Sequence, residues 1–98
     1  MYVGSLTLDL LLGDVRSLKQ KRSVVRPVVA ELKRRFDVTA AETGDHDLHR
    51  RAEVGVALVA ANAAHCRQVL AACESLVAGR PELELLSARI RVWGDGDE

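Results

Sequence analysis

Aromatic residues are scarce in this sequence, which has one tyrosine, one phenylalanine and one tryptophan among 98 residues. Leucine, valine and alanine must therefore fill the interior, and hydrophobic residues make up 48% of the chain. This content, together with 29% charged residues, is typical of a globular protein rather than a disordered one. The length favours one domain, which we place at residues 1–93, followed by a flexible acidic tail at 94–98.

Two further absences concern cellular location. The N-terminal segment has no basic leader and Asp9 interrupts its apolar run, so we expect no secretory signal and no membrane span, and we assign the chain to the cytoplasm. The two cysteines, Cys66 and Cys73, fall on one predicted helix about 10 Å apart, beyond the usual reach of a disulfide. We therefore expect both to be reduced thiols in the core.

Catalytic signatures are also missing. We find no glycine-rich phosphate loop, no paired carboxylates at a recognisable spacing and no zinc-binding set of cysteines. Asp45, His46, Asp47 and His49 invite a metal site, but four side chains on five consecutive residues diverge unless the backbone folds tightly around the ion. A polar hairpin connection is the simpler interpretation. We predict neither an enzyme nor a cofactor, with hydrolysis at residues 45–51 as a minor alternative.

The apolar pattern predicts six elements in the order strand, helix, strand, strand, helix, strand. They are a strand at 2–12, a helix that begins after Ser17, strands at 36–42 and 52–60, a helix capped by Asn62, and a strand at 83–93. Right-handed crossovers interleave the two halves into an α+β, ferredoxin-like β-α-β-β-α-β sandwich. This fold has a four-stranded antiparallel sheet with both helices on one face.

Two irregularities remain within these elements. Pro27 removes one backbone hydrogen bond, which predicts one bent helix or, as the alternative, a break near Ser23. In the last strand the apolar phase shifts by one residue after Leu85, which indicates a bulge or a later start of the strand.

The net charge of zero hides a basic segment. Between Arg16 and Arg35 there are eight lysines and arginines against Glu31 alone, so the rest of the chain carries the balancing negative charge. Two interpretations stay open, because carboxylates elsewhere in the domain could neutralise these cations, or RNA phosphates could bind them. The candidate RNA- or anion-binding residues are Lys19, Lys21, Arg22, Arg26 and Lys33, with Arg51 beside them.

The sheet face away from the helices lacks the aromatic platform on which RNA-binding sheets stack bases. Its two central strands carry small or polar residues instead, and small side chains permit close approach by another layer. We therefore predict a homodimer through this face. The interface residues would be Thr7, Gly55, Ala57, Val59, Arg89, Arg91 and Trp93.

Three stretches together resemble the YlxP-like family of small bacterial proteins over nearly the whole chain: residues 17–22 (SLKQKR), residues 38–62, and the helix and strand that end at Val92. Residues matching the family's Ser-Leu-Lys-x-Lys-Arg and Asp-Leu-Trp-x-Arg-Ala signatures are Ser17, Leu18, Lys19, Lys21, Arg22, Asp47, Leu48, Arg51 and Ala52. His49 stands where the family usually has tryptophan.

The resemblance implies a ferredoxin-like fold and no established reaction. The family's genes commonly lie between those for a translation initiation factor and ribosome-binding factor A, which implies ribosomal RNA or a ribosome-assembly protein as partner. We therefore expect a non-enzymatic accessory of translation or ribosome maturation that contacts RNA phosphates. The alternative is a dimeric protein-interaction or small-anion-binding module without nucleic-acid binding.

Overall fold

The computed structural model describes residues 1–94, which form six elements. They are β1 (Tyr2–Leu12), α1 (Leu18–Arg35), β2 (Thr39–Gly44), β3 (Arg51–Ala60), α2 (Ala63–Ala78) and β4 (Leu83–Trp93). The strands make one antiparallel sheet in the order β2-β3-β1-β4, which confirms the ferredoxin-like fold. Beyond Gly94, the predicted acidic tail lies outside the described residues. Within residues 1–94, no helix is both long and apolar enough to cross a membrane.

Side-chain caps fix the first residue of both helices. The Ser17 hydroxyl accepts the Gln20 N–H at 3.1 Å, and the Gln20 side chain accepts the Arg16 N–H at 2.6 Å. A capping box returns this second bond to the capping residue itself, whereas here it goes to the residue before it. In α2 the Asn62 side chain accepts the His65 N–H at 2.7 Å. Both predicted helix starts are confirmed.

Helix α1 continues through Pro27 without interruption, so the alternative of a break near Ser23 is wrong. Proline costs the helix one backbone hydrogen bond, whose acceptor would be the Ser23 carbonyl. The Pro27 ring is exposed, while Val25, Val28 and Leu32 are buried on the other side of the helix. Packing of that buried stripe therefore holds the helix together where the backbone ladder is interrupted.

The start of β2 differs from the prediction, which placed a strand at 36–42. The Phe36 N–H still reaches the Leu32 carbonyl at 3.0 Å, so this residue closes α1 in an extended conformation. A tight turn follows, in which the Val38 N–H donates to the Phe36 carbonyl at 2.9 Å. The strand begins only at Thr39, because the helix and this turn use the N–H and carbonyl of Phe36 and the N–H of Val38.

Alternating leucines of β1 form the centre of the core: Leu6, Leu8, Leu10 and Leu12 are at most 1% exposed. Both helices cover this side of the sheet. Cys66 and Cys73 of α2 are fully buried and free, which confirms the predicted reduced thiols. Burial raises the pKa of the Cys73 thiol to about 11, although a backbone hydrogen bond partly opposes the shift.

A bulge interrupts β4, as the phase shift indicates. Asp9 pairs with Ser87 and Leu10 pairs with Leu85, so Leu86 is an extra residue in the strand. Its side chain is 43% exposed. The bulge lets Leu85 and Ala88 both face the helices, because the extra residue resets the alternation between them.

We predict that Gly4→Ala destabilises the protein, since a Cβ at Gly4 would overlap Cys66 Sγ and lie 2.9 Å from Leu70 Cδ1. Overpacking of a filled core lowers the free energy of unfolding by about 1–3 kcal/mol. The loss should be seen as a lower midpoint of urea denaturation. Gly13→Ala is the matched control, because its nearest neighbour would be 3.7 Å away. Adding Cys66→Ala to Gly4→Ala should recover part of the loss, and no recovery would contradict the assigned contact.

The Cys73 thiol predicts a loss of stability in alkali. Its folded pKa of about 11 lies above the reference value of 9.0, so its contribution is complete below pH 9 and falls as the pH rises towards 11. The slope reaches at most about 1.4 kcal/mol per pH unit for one proton. Urea unfolding between these pH values should therefore show a shallower decline in stability for Cys73→Ala than for the wild type. An identical decline in both proteins would refute this contribution.

Candidate functional site

Four exposed cations line one flank of α1: Lys19, Arg22, Arg26 and Lys33. At 100° per residue they fall within a sector of about 60°, beside the apolar stripe. Within residues 1–94, none of them is in an ion pair with a carboxylate. We call these four residues the basic row.

The other charges nearby are largely neutralised inside the domain. The Arg16 guanidinium lies 3.2 Å from the Asp14 carboxylate. Glu31 contacts two arginines, Arg35 at 3.4 Å and Arg80 at 2.7 Å. Neutralisation by the domain's own carboxylates therefore occurs beside the basic row and leaves the row itself uncompensated in the part of the chain that the structure describes.

Two shallow hollows accompany the basic row. One, of about 530 Å³, is lined by Lys19, Arg22, Ser23, Arg26 and Pro27. The other, of about 340 Å³, lies between α1 and β2 and is lined by Arg22, Val25, Arg26, Val29, Ala30, Lys33 and Glu42. Both place guanidinium groups around a recess open to solvent. Guanidinium groups suit phosphate oxygens because their planar donors bind two oxygens at once.

Lys21 does not belong to this surface, which corrects the prediction that it binds RNA or an anion. Only 1% of the residue is exposed. Its Nζ lies 2.9 Å from Glu42 Oε2 and also donates to the Asp45 carbonyl. The angular position of Lys21 on the helix, between the buried Val25 and Val28, is the signal that indicates burial.

Through Lys21, α1 also fixes the turn between β2 and β3. The Asp45 carbonyl accepts a second bond from the Leu48 N–H at 3.0 Å, and Asp45 has a φ of 59°. A non-glycine residue in this left-handed region needs support from its surroundings. The ammonium group supplies such support. Lys21, in the segment SLKQKR, thus holds the turn that leads into DLHRRA, and these two segments are the ones that resemble a family signature.

Arg51 lies apart from the basic row, which corrects its predicted place beside those cations. It precedes the buried Ala52 in β3 and pairs with Leu11. Because side chains alternate along a strand, Arg51 is on the open face of the sheet, opposite the helices. Its neighbour Arg50, which the sequence does not single out, donates from Nε to the carbonyls of Leu12 at 3.3 Å and Gly13 at 2.9 Å.

The acidic and histidine-rich turn forms no evident metal centre. Asp45, His46, Asp47 and His49 are all exposed. Among residues 1–94, no three histidine, cysteine or carboxylate side chains are grouped so that they could hold one ion. The contacts made by this turn are backbone contacts, and they orient the loop rather than a ligand.

Comparison with known proteins places the chain in a family. The family model described as "Protein of unknown function (DUF503)" matches residues 3–90, and the chain belongs to that family. The chain is also similar to the "Uncharacterized protein YlxP" of Bacillus subtilis (strain 168). The two are 26% identical over 82 residues, which cover 84% of this chain and 89% of the relative. Membership in a YlxP-like family is therefore confirmed.

Loss of the Lys21 charge should destabilise the packing of α1 against β2 and the turn that follows β2. We predict that Lys21→Met lowers the free energy of unfolding by about 3 kcal/mol, since it leaves the Glu42 carboxylate unpaired in a largely buried position. Lys19→Met, on the exposed flank, should change stability by less than about 0.5 kcal/mol. Adding Glu42→Leu to Lys21→Met should restore much of the loss, as measured by urea denaturation. Equal effects of Lys21→Met and Lys19→Met would show that the buried pair is not structural.

Proposed function

We propose that this DUF503 family member binds RNA through its basic row and acts as a non-enzymatic accessory of translation or ribosome maturation. The observation that supports this most is the unpaired state of Lys19, Arg22, Arg26 and Lys33 among the described residues. The chain has equal numbers of acidic and basic residues, so partners for these cations were in principle available. A row left positive in a neutral domain suits an external polyanion.

The length of the row favours a polymer over a small anion. Lys19 and Lys33 are fourteen residues apart, which corresponds to about 21 Å along a helix. One small anion can contact the cations around one hollow, but not both ends of the row. An extended chain of phosphates reaches all four. The hollow around Arg22 and Arg26 is the place where the alternative, a small-anion-binding module, would act.

Recognition of the RNA backbone agrees with the absence of aromatic side chains from the open face of the central strands. The central strands present Ser5, Thr7, Gly55 and Ala57 there, and none of these can stack on a base. Contacts to phosphate position RNA without reading its sequence. We therefore expect weak sequence preference. The gene neighbourhood associated with the YlxP-like resemblance supports ribosomal RNA as the polyanion, by association rather than by contact.

Charge reversal in the middle of the row tests this proposal. We predict that Arg22→Glu/Arg26→Glu weakens binding to a fluorescent single-stranded RNA by at least about tenfold per lost contact. For four phosphate contacts, the wild-type affinity should fall with a log–log salt slope of about −3. Fluorescence anisotropy over a salt series measures both quantities. Co-sedimentation with ribosomal subunits should weaken in parallel.

The matched control carries the same change of charge at arginines that do not belong to the row. Arg34→Glu/Arg67→Glu reverses two exposed arginines, one on α1 and one on α2, and should retain most of the wild-type affinity. Equal losses in the two double variants would indicate a general charge effect and refute the site. A shallow salt slope with saturable stabilisation by inorganic phosphate would favour the small-anion module instead.

A further inference from the structure

The open face of the sheet carries charges that the described part of the chain leaves unmatched. Arg89 and Arg91 are exposed on β4, and neither contacts a carboxylate within residues 1–94. Asp9 and Glu53 occupy the same face, and their contacts are hydroxyl groups: Ser87 on Asp9 and Thr43 on Glu53, both at 2.7 Å. Arg89, Arg91, Asp9 and Glu53 therefore share this surface without pairing, and Arg51 lies on the same face towards the other end of β1.

A hollow lies beside these groups on the same face. It has a volume of about 410 Å³ and lies over β1, β3 and β2, with Ser5, Thr39, Ala41, Gly55 and Ala57 among its lining residues and Glu53 at one side. Thr43, the extra residue of a bulge in β2, leans over Gly55, where an added Cβ would lie 2.7 Å from its Cγ2. Small side chains thus form the floor of the hollow, and the Glu53 carboxylate forms one of its sides.

Strand register relates the arginines to this hollow. The strands β3 and β4 flank β1 on either side. Trp93 is therefore at the same register position as Val59, Arg91 at that of Ala57, and Arg89 at that of Gly55. A two-fold axis that lies above β1 and parallel to it exchanges the positions of β3 and β4. It leaves each residue at the same register position along the strands. Each large β4 side chain of one copy then faces a small or apolar β3 side chain of the other.

We propose that a second copy of this chain packs on the open face, with Arg89 and Arg91 of each copy entering the hollow of the other. The guanidinium groups then lie beside Glu53 and Asp9 of the opposite copy. The two Asp9 carboxylates approach each other near the axis, and the four arginines at these contacts balance the four carboxylates of Asp9 and Glu53 in the two copies. At one end, Trp93 covers Val59, which is 64% exposed in the single chain. The proposal does not depend on RNA binding, which uses the opposite side of the sheet.

Reciprocal charge exchange tests the pairing. Arg89→Glu places two carboxylates together at each contact, and Glu53→Arg places two arginines together, so each variant alone should dimerise at least about tenfold more weakly than the wild type. A mixture of the two variants restores opposite charges at both contacts. It should therefore give the heterodimer at wild-type strength, detected by native mass spectrometry and sedimentation equilibrium.

Two controls distinguish a specific interface from a general effect of charge. Arg67→Glu, on the outer helix layer, should dimerise normally, and unchanged binding by Arg89→Glu of an RNA that is too short to reach two basic rows would show that the two surfaces are separate. Recovery in the mixture also proves that both variants fold. A wild-type chain that stays monomeric at high micromolar concentration, or a mixture that does not recover, overturns the proposal and leaves the face open for a different partner.

Discussion

The buried pair of Lys21 and Glu42 is the interaction on which the candidate site depends. Glu42 lines the hollow between α1 and β2, close to Arg22, Arg26 and Lys33, and is the carboxylate best placed to neutralise them. Its Oε2 instead forms an ion pair with the Lys21 ammonium at 2.9 Å. The Lys21 ammonium is held in place by its hydrogen bond to the Asp45 carbonyl, so this pair keeps its geometry more firmly than a solvated one. The exposed flank therefore remains positive because the buried face of the same helix binds the nearest negative charge.

The same lysine also connects the first signature segment to the turn that precedes the second. SLKQKR provides the ammonium group, and the turn that leads into DLHRRA provides the Asp45 carbonyl that accepts from it. Asp45 has a left-handed backbone, which is unfavourable for a residue with a Cβ unless its surroundings hold it. The lysine and the turn thus support each other across 24 residues of sequence. Lys19 and Arg22, beside Lys21 in the same segment, are exposed and available to a partner.

Much of the fold can be predicted from the sequence because its signals are local. The caps at Ser17 and Asn62 depend on atoms three residues away, and the alternation of β1 and β3 reflects burial on one side. The start of β2 differs from the predicted one because the turn at Phe36–Val38 competes with the strand for the same backbone groups. The burial of Lys21 can be predicted from its position on the helix between Val25 and Val28. Its carboxylate partner cannot, because that partner lies on another element and composition does not show which lysine meets it.

Strand periodicity divides the molecule into two surfaces that do not compete. Arg51 was placed beside the basic row on the basis of charge, yet a single step along β3 from the buried Ala52 puts it on the other side of the sheet. The proposed two-fold packing would cover that side and leave both helix layers outermost. A dimer would then present two basic rows at separate positions, so one RNA long enough to reach both would bind more tightly than two short ones. Affinity should consequently depend on RNA length as well as on salt, because only a long chain gains from the second row.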